Sequence, residues 1–234
     1  MPVKKTNKFL PKVNNTNIDA IYTIIKREFE KHTMPVVDLI QVQTRDPFKV
    51  LLSTILSART KDAVTTEASQ RLFKKVTSLN DLYTISVSAL EKLIYPVGFY
   101  KMKARHLKEL PKVANKLYQG EIPQTVDELV KLPGVGRKTA NLVVAVAFNK
   151  PAICVDVHVH RICNRLGYVQ TNTPLETEMT LREILPKKYW ITINSFLVSF
   201  GQHLCYPLNP RCDVCPIYNY CRRVNVTTKY KRKE

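Results

Sequence analysis

The chain has 234 residues, with 37 lysines and arginines against 19 aspartates and glutamates, and a formal net charge of +18. An excess of that size favours a polyanionic partner, and nucleic acid is the commonest. No run approaches the ~18 consecutive apolar residues of a membrane span. The basic segment Met1 to Lys12 has neither the apolar stretch of a secretory signal nor the Arg and Ser enrichment of a transit peptide. The expectation is an intracellular protein associated with nucleic acid, in the cytoplasm and nucleoid or in a nucleus, with no membrane role.

Helical periodicity dominates the chain. Thr16 to Lys31 places Ile18, Ile21, Tyr22, Ile25 and Phe29 on one face and leaves Lys26, Arg27, Glu28 and Glu30 for solvent. Asp46-Pro47 reads as an N-cap with proline in the first turn, and Phe48, Leu51, Leu52, Ile55 and Leu56 follow as a wide apolar stripe. Thr60 to Val76 reads as another helix. Ser88 and Glu91 have capping-box spacing before Leu93 and Ile94, and Pro96-Val97-Gly98 ends that helix. Phe99 to Tyr118 carries Lys101, Lys103, Arg105, Lys108, Lys112 and Lys116, read as a solvated face, with Pro111 placed to kink or split it. Thr125 and Glu128 cap a helix that leads into a turn, and Arg137 to Phe148 is the helix after that turn. Thr173-Pro174 opens a later helix, and Ile191 to His203 forms another. Ile153-Cys154-Val155 is too short to build a sheet, so the expected class is all-α. The tail, with Arg222, Arg223, Lys229, Lys231, Arg232 and Lys233, is expected to be mobile.

The run Leu132-Pro133-Gly134-Val135-Gly136-Arg137-Lys138-Thr139-Ala140 is the most informative segment. It reads as a helix-hairpin-helix in which two glycines clear the way for peptide N–H groups to approach a phosphate. Such contacts hold a nucleic-acid backbone without reading its sequence. Lys138 sits at the positive end of the second helix, where a cation is disfavoured. Arg137 beside it adds to the repulsion, so the setting predicts a larger share of free amine near neutral pH. A free amine can attack C1′ of a nucleotide, or its ring-opened aldehyde, and form a Schiff base. Asp156, in Val155-Asp156-Val157-His158, reads as a helix N-cap and also as a carboxylate able to assist that attack or a water. His158 and His160 are two apart and would point to different sides of a helix, so they are not read as a metal pair.

Cys205, Cys212, Cys215 and Cys221 are spaced C-x6-C-x2-C-x5-C, which points to a metal site in an intracellular chain. Four thiolates suit zinc or an iron–sulfur cluster, and on the residues alone structural zinc is the favoured reading. Cys154 and Cys163 stand apart and read as small buried hydrophobes.

Lys138, Asp156 and the four cysteines, in that order, resemble the endonuclease III family of DNA glycosylases within the helix-hairpin-helix and Gly/Pro-Asp superfamily. Leu56 to Asp62, Pro96 to Tyr100, Leu132 to Ala140 and Val155 to Arg161 are similar to family segments, and the likeness runs from about Leu51 to Cys221. The resemblance implies an all-α protein of two lobes with DNA between them. Residues 40–150 would form a helical barrel lobe with the hairpin. Residues 1–39 with 151–221 would form a discontinuous cluster lobe, and 222–234 a basic tail. Lys138 matches the family's Schiff-base lysine and Asp156 its aspartate. Gly134 and Gly136, with Arg137 beside them, match the phosphate-holding hairpin. Arg59 and Phe99 match residues that fill the gap left by a flipped base, although core packing of Phe99 is the competing reading. Arg59 stands where bacterial members commonly have glutamine, and Val157 where threonine often follows the aspartate. The cysteine spacing then favours a 4Fe–4S cluster that shapes a loop presenting Arg211 to DNA. Tyr206 to Pro210, between the first two cysteines, has no basic residue of its own.

The function so implied is a monomeric glycosylase and abasic-site lyase that removes oxidised pyrimidines from duplex DNA and nicks 3′ to the site by β-elimination. Its partner is double-stranded DNA containing damaged bases or abasic sites. Two alternatives stand beside it: a mismatch glycosylase acting on thymine or uracil opposite guanine, or on adenine, and a non-catalytic DNA-binding protein of the same fold. Lys138 favours lyase chemistry over both.

Overall fold

The computed structural model describes residues 15–32 and 34–227, apart from the side chains of Asn15 and Thr16. Met1 to Lys12 and the tail lysines Lys229, Lys231 and Lys233 with Arg232 lie outside the described residues. Among the described residues there are twelve α-helices, one 3-10 turn at Lys187–Tyr189 and no strand. In chain order the helices are α1 (Asn15–Phe29), α2 (Val36–Thr44), α3 (Pro47–Ser57), α4 (Asp62–Phe73), α5 (Leu79–Thr84) and α6 (Val87–Ile94). They continue as α7 (Tyr100–Tyr118), α8 (Val126–Leu129), α9 (Arg137–Phe148), α10 (Val157–Leu166), α11 (Pro174–Ile184) and α12 (Ile193–His203). The all-α expectation holds. The chain divides into two compact units, Pro35–Ala152 and the segments on either side of it.

The unit Pro35–Ala152 is organised around α3, which packs against α2, α4, α7 and α9. Its stripe is wider than the sequence pattern showed: Val50, Leu51, Leu52, Ile55 and Leu56 are buried, and so are Ser53 and Thr54. A helix buried on all sides tolerates hydroxyls only if they are bonded. Both donate to the carbonyl of Val50, at 3.0 and 2.6 Å. Asp46 caps α3 as expected, accepting from the Phe48 amide at 2.9 Å with Pro47 in the first turn; such a cap contributes about 1 kcal/mol.

Three expectations are corrected. The cap of α6 is Ser86, whose hydroxyl accepts from the Ala89 amide, and Ser88 lies inside the helix. α5 ends at Thr84 and leaves only Ile85 and Ser86 as a link, which moves the start of α6 to the first hydroxyl available. Pro111 does not split α7, which runs from Tyr100 to Tyr118 with Pro111 buried within it. Packing against α5 and α6 on the face that includes Leu107 and Ala114 offsets the missing N–H. Finally, Lys103 is not on a solvated face: it is 5% exposed.

In the second unit α1 packs on α12, and α10 on α11 and α12. Ile18, Ile21, Tyr22 and Ile25 meet Val159, Ile162, Leu166, Ile193, Leu197 and Phe200 in one core. Tyr22 stacks on Tyr189 with ring centroids 3.9 Å apart, and the Trp190 indole donates to the Leu185 carbonyl at 2.8 Å. At the margin, Arg222 lies against Gly167, and Arg223 donates to the carbonyls of Tyr218 and Cys221 at 2.8 and 2.9 Å.

Candidate nucleic-acid interface and catalytic residues

The hairpin before α9 is built by local rules. Thr125 caps α8 through the Glu128 amide, as its spacing predicts, although α8 is a single turn. Leu132 and Val135 are buried and pin the hairpin from inside, and the Val135 amide donates to the Leu132 carbonyl at 3.2 Å. Gly134 has φ +77°, and a Cβ there would lie 2.8 Å from Nδ1 of His106, so glycine is required twice over. Gly136 is the N-cap of α9, with no heavy atom within 4 Å of where a Cβ would stand. No side chain caps this helix start and no acidic residue lies in its first turn. Gly134, Gly136, Arg137 and Lys138 are all exposed. Exposed amides at a positive helix end, flanked by two cations, form a receptor for an anion.

The same unit carries Arg59 and Phe99 side by side. Each is exposed at the tip of a loop, each has a left-handed backbone (φ +54° and +57°), and the guanidinium lies 5.6 Å from the ring centroid. Phe99 is 57% exposed, which removes the core-packing reading. Lys103, one turn into α7, reaches back beneath the pair to the end of α3, where its ammonium donates to the Leu56 and Ala58 carbonyls at 2.8 and 2.7 Å. Burial pushes this lysine down to about 8. The sequence reading missed it although the signal was present: 103, 107, 110 and 114 recur at helical spacing, and Leu107, Leu110 and Ala114 are core residues.

In the other unit, Asp156 caps α10. One carboxylate oxygen accepts from the amides of His158 and Val159, both at 2.9 Å, which fixes the side-chain rotamer. The strand-like approach Ile153-Cys154-Val155 is buried, and Asn194 holds it by donating to the Cys154 carbonyl at 3.1 Å. Val157 is 65% exposed beside the cap. His160 bonds Thr177 at 2.7 Å, and His158 faces the Arg161 guanidinium at 3.1 Å.

Two further residues on α10 tie it to the cysteine segment, and nothing in their local pattern marks them. Arg161 donates to the Cys205 carbonyl at 2.8 Å. Arg165 donates to the Cys205 Sγ at 3.3 Å and to the carbonyls of Tyr206 and Pro207 at 2.6 and 2.7 Å. The four cysteines Cys205, Cys212, Cys215 and Cys221 line a single apolar cavity together with Arg165 and Arg211. Four thiols lining one cavity are a donor set that suits a multi-iron cluster. Burial pushes the thiols of Cys215 and Cys221 up to about 12 and 11, so binding a metal centre here displaces protons. Arg211 is exposed, and so are Tyr206, Pro207, Leu208 and Asn209. Cys154 and Cys163 are buried away from solvent, as expected.

Comparison with known proteins gives two matched segments, the first spanning parts of both units. Residues 52–187 match the HhH-GPD superfamily of base excision DNA repair proteins, and residues 205–221 match the iron–sulfur binding domain of endonuclease III. That second match runs from the first cysteine to the last and decides between zinc and iron: the cofactor is a 4Fe–4S cluster. Endonuclease III of Thermotoga maritima is 47% identical over 75% of this chain and 83% of its own length. Endonuclease III homolog 1 of Arabidopsis thaliana is 43% identical over 76% of this chain, which spans about half (49%) of that longer protein. Among solved structures, a trapped endonuclease III–DNA covalent intermediate superposes with a TM-score of 0.80 at 37% identity, covering 90% of this chain and 97% of that one. A thermostable thymine-DNA glycosylase superposes with a TM-score of 0.77 at 27% identity, over 88% and 96%. By its two matched segments, its relatives and its fold, the chain belongs to the endonuclease III family of base excision DNA repair proteins.

Proposed function

We propose that this DNA glycosylase and abasic-site lyase removes oxidised pyrimidines from duplex DNA, with Lys138 as nucleophile and Asp156 as the carboxylate that assists it. One observation carries the reading: Lys138 is exposed in the first turn of α9, directly behind an uncapped hairpin, inside the segment matched to base excision repair proteins. The position is unfavourable for a cation on local grounds, and residues that break a local rule cluster at functional sites.

Lys138 attacks C1′ of the damaged nucleotide as the free amine. The C1′–N bond breaks, its electron pair leaves with the base, and the base takes up a proton. The attacking nitrogen gives a proton to Asp156, the C1′–O4′ bond breaks with its electron pair on O4′, and O4′ takes up a proton, leaving a protonated Schiff base between Nζ and C1′. Loss of a proton from C2′ then expels the 3′ phosphate, and water hydrolyses the imine to release Lys138. Asp156 stabilises positive charge on the sugar as the base departs and accepts the proton of the attacking amine. The hairpin amides of Gly134 and Gly136, with Arg137, hold a backbone phosphate. Arg59 and Phe99 occupy the gap in the base stack. Cys205, Cys212, Cys215 and Cys221 hold the cluster, which supplies shape to the loop that carries Arg211.

The test is a panel of duplexes containing thymine glycol, uracil opposite guanine, or adenine opposite oxidised guanine, each assayed for base release and for nicking. A separate abasic duplex is treated with borohydride. The expected result is preference for thymine glycol and a covalent borohydride adduct. Preference for a mismatch with no adduct would replace this reading with the mismatch glycosylase. Duplex binding with no base release and no adduct would leave a non-catalytic binder.

A further inference from the structure

Arg59 and Phe99 are 40 residues apart in sequence, yet their backbones are locked together. A Cβ at Gly98 would lie 2.5 Å from the Arg59 carbonyl oxygen, so the two loops touch main chain to main chain. The Gly98 amide donates to Oγ1 of Thr60 at 3.1 Å. Both tip residues hold left-handed conformations that a non-glycine residue keeps only when its surroundings impose them. The buried group between the loops is the ammonium of Lys103. It donates to Leu56 and Ala58 on the approach to Arg59, and at 3.3 Å to the same Thr60 hydroxyl that receives Gly98. Lys103 itself begins the hydrogen-bonding of α7, its amide donating to the Phe99 carbonyl at 3.0 Å. Its main chain therefore anchors one tip and its side chain the other.

A lysine buried to this degree is costly unless every donor is used. Here three donors meet three acceptors, two of them carbonyls at the negative end of α3. A methionine or leucine would fill the space at lower desolvation cost, but it would take the ammonium donor away from the Leu56 and Ala58 carbonyls and cut the link to Thr60. Satisfied buried polar groups of this kind specify geometry more than they add stability.

We propose that Lys103 is a positioning residue that clamps the Arg59 and Phe99 loops into one preformed wedge, so that the pair enters the base stack without reorganising when DNA binds. The proposal rests on the reading that Arg59 and Phe99 contact DNA, and the test separates the two. Full-length wild type, Lys103→Met, the pair variant Arg59→Ala/Phe99→Ala, and the triple variant are compared. The readout is the ratio of affinity for a duplex holding a tetrahydrofuran abasic analogue to affinity for undamaged duplex. Lys103→Met is expected to lower that ratio by about tenfold, within the range coupled neighbours show, with the salt slope of undamaged-duplex binding unchanged. In the background of the pair variant it is expected to change nothing further. Lys103→Arg, which keeps the charge and donors, is expected to restore part of the ratio.

If the pair variant itself leaves the ratio unchanged, the reading of Arg59 and Phe99 as DNA contacts fails. If the pair variant lowers it and Lys103→Met does not, or lowers it equally in both backgrounds, the clamp is overturned and Lys103 is structural only. If Lys103→Met does not fold, Thr60→Val carries the same cycle, because it removes the hydroxyl between Lys103 and Gly98 and leaves the two carbonyl bonds in place.

Discussion

The starts of α9 and α10 solve the same local problem in opposite ways. Every helix begins with amides that have no partner inside the helix. At α10 the Asp156 carboxylate takes two of them at 2.9 Å each. At α9 the N-cap is Gly136, no side chain accepts, and the first turn holds Arg137 and Lys138 where acids are favoured. The contrast shows why one site announces itself and the other hides. No side chain accepts from the first amides of α9 and two cations stand in its first turn, so an anion from outside the chain fits there. A start whose amides are met by a carboxylate reads as ordinary capping, and any second duty of that carboxylate leaves no local mark.

The largest effect expected is at the start that breaks the rule. Lys138→Gln keeps the length and polarity of the side chain and removes the amine. Nicking of an abasic duplex should fall by on the order of 10³-fold or more, and the borohydride adduct should vanish, while binding to the duplex persists. Nicking at the wild-type rate in this variant would assign the nucleophile to another residue.

At the other start two substitutions test whether Asp156 does more than cap α10. Asn caps nearly as well as Asp, so Asp156→Asn retains the bonds to His158 and Val159 and loses the charge. Base release should drop by about 10²- to 10⁴-fold with Tm close to wild type. Asp156→Ala should add a loss of ~1 kcal/mol, seen as a fall in Tm of about 2–4 °C. Equal base release in wild type and Asp156→Asn would reduce Asp156 to a cap.

These contrasts also mark what could be read from the chain alone. Asp46-Pro47, Thr125 and Thr173 are set by interactions within four residues, the Gly134 hairpin is marked by its glycines, and α9 runs over the residues its pattern predicts. Ser88 misled because two serines compete for one helix start and the short link after α5 chose between them. The helices α2 and α5 were not anticipated; nine and six residues long, they have too few turns for a periodic signal and owe their order to burial of Val36, Val37, Ile40 and Leu82. Lys103 carries the same charge as its basic neighbours on α7, and only its register with Leu107 and Leu110 sets it apart. Arg161 and Arg165 reach Cys205, 44 and 40 residues away, through contacts that only the folded chain brings about.

A finer division lies within the hairpin itself. Gly134→Ala forces a left-handed backbone on alanine and drives a methyl to within 2.8 Å of the His106 ring. It should cost about 1–2 kcal/mol in denaturant unfolding. Gly136→Ala meets no atom within 4 Å and should leave stability within about 0.5 kcal/mol, yet its methyl stands where a phosphate would approach and should weaken duplex binding several-fold. Equal affinity for DNA in wild type and Gly136→Ala would mean that the amides of this start do not face the backbone.

The smallest effect comes from a third helix start, α5, where the cap is most complete. Ser78 accepts from the Asp81 amide, and the Asp81 carboxylate accepts from the amides of Thr77 and Ser78 and from the Thr77 hydroxyl. The Thr77 amide, then its hydroxyl, hold Asp81 below its ordinary value of 3.8. The folded chain thus keeps this carboxylate ionised at pH values where the unfolded chain has begun to protonate it. Its stabilisation is fully present above the unfolded value and is lost as pH falls through the lower folded one. Asp81→Asn should lower Tm by less than about 2 °C at neutral pH, and the gap to wild type should close below about pH 4. The first turn of α9 contains no carboxylate and supplies no matching acid-range contribution. A gap that stayed constant from pH 7 to pH 3 would show that hydrogen-bond geometry alone, and not charge, distinguishes a capped start from an open one.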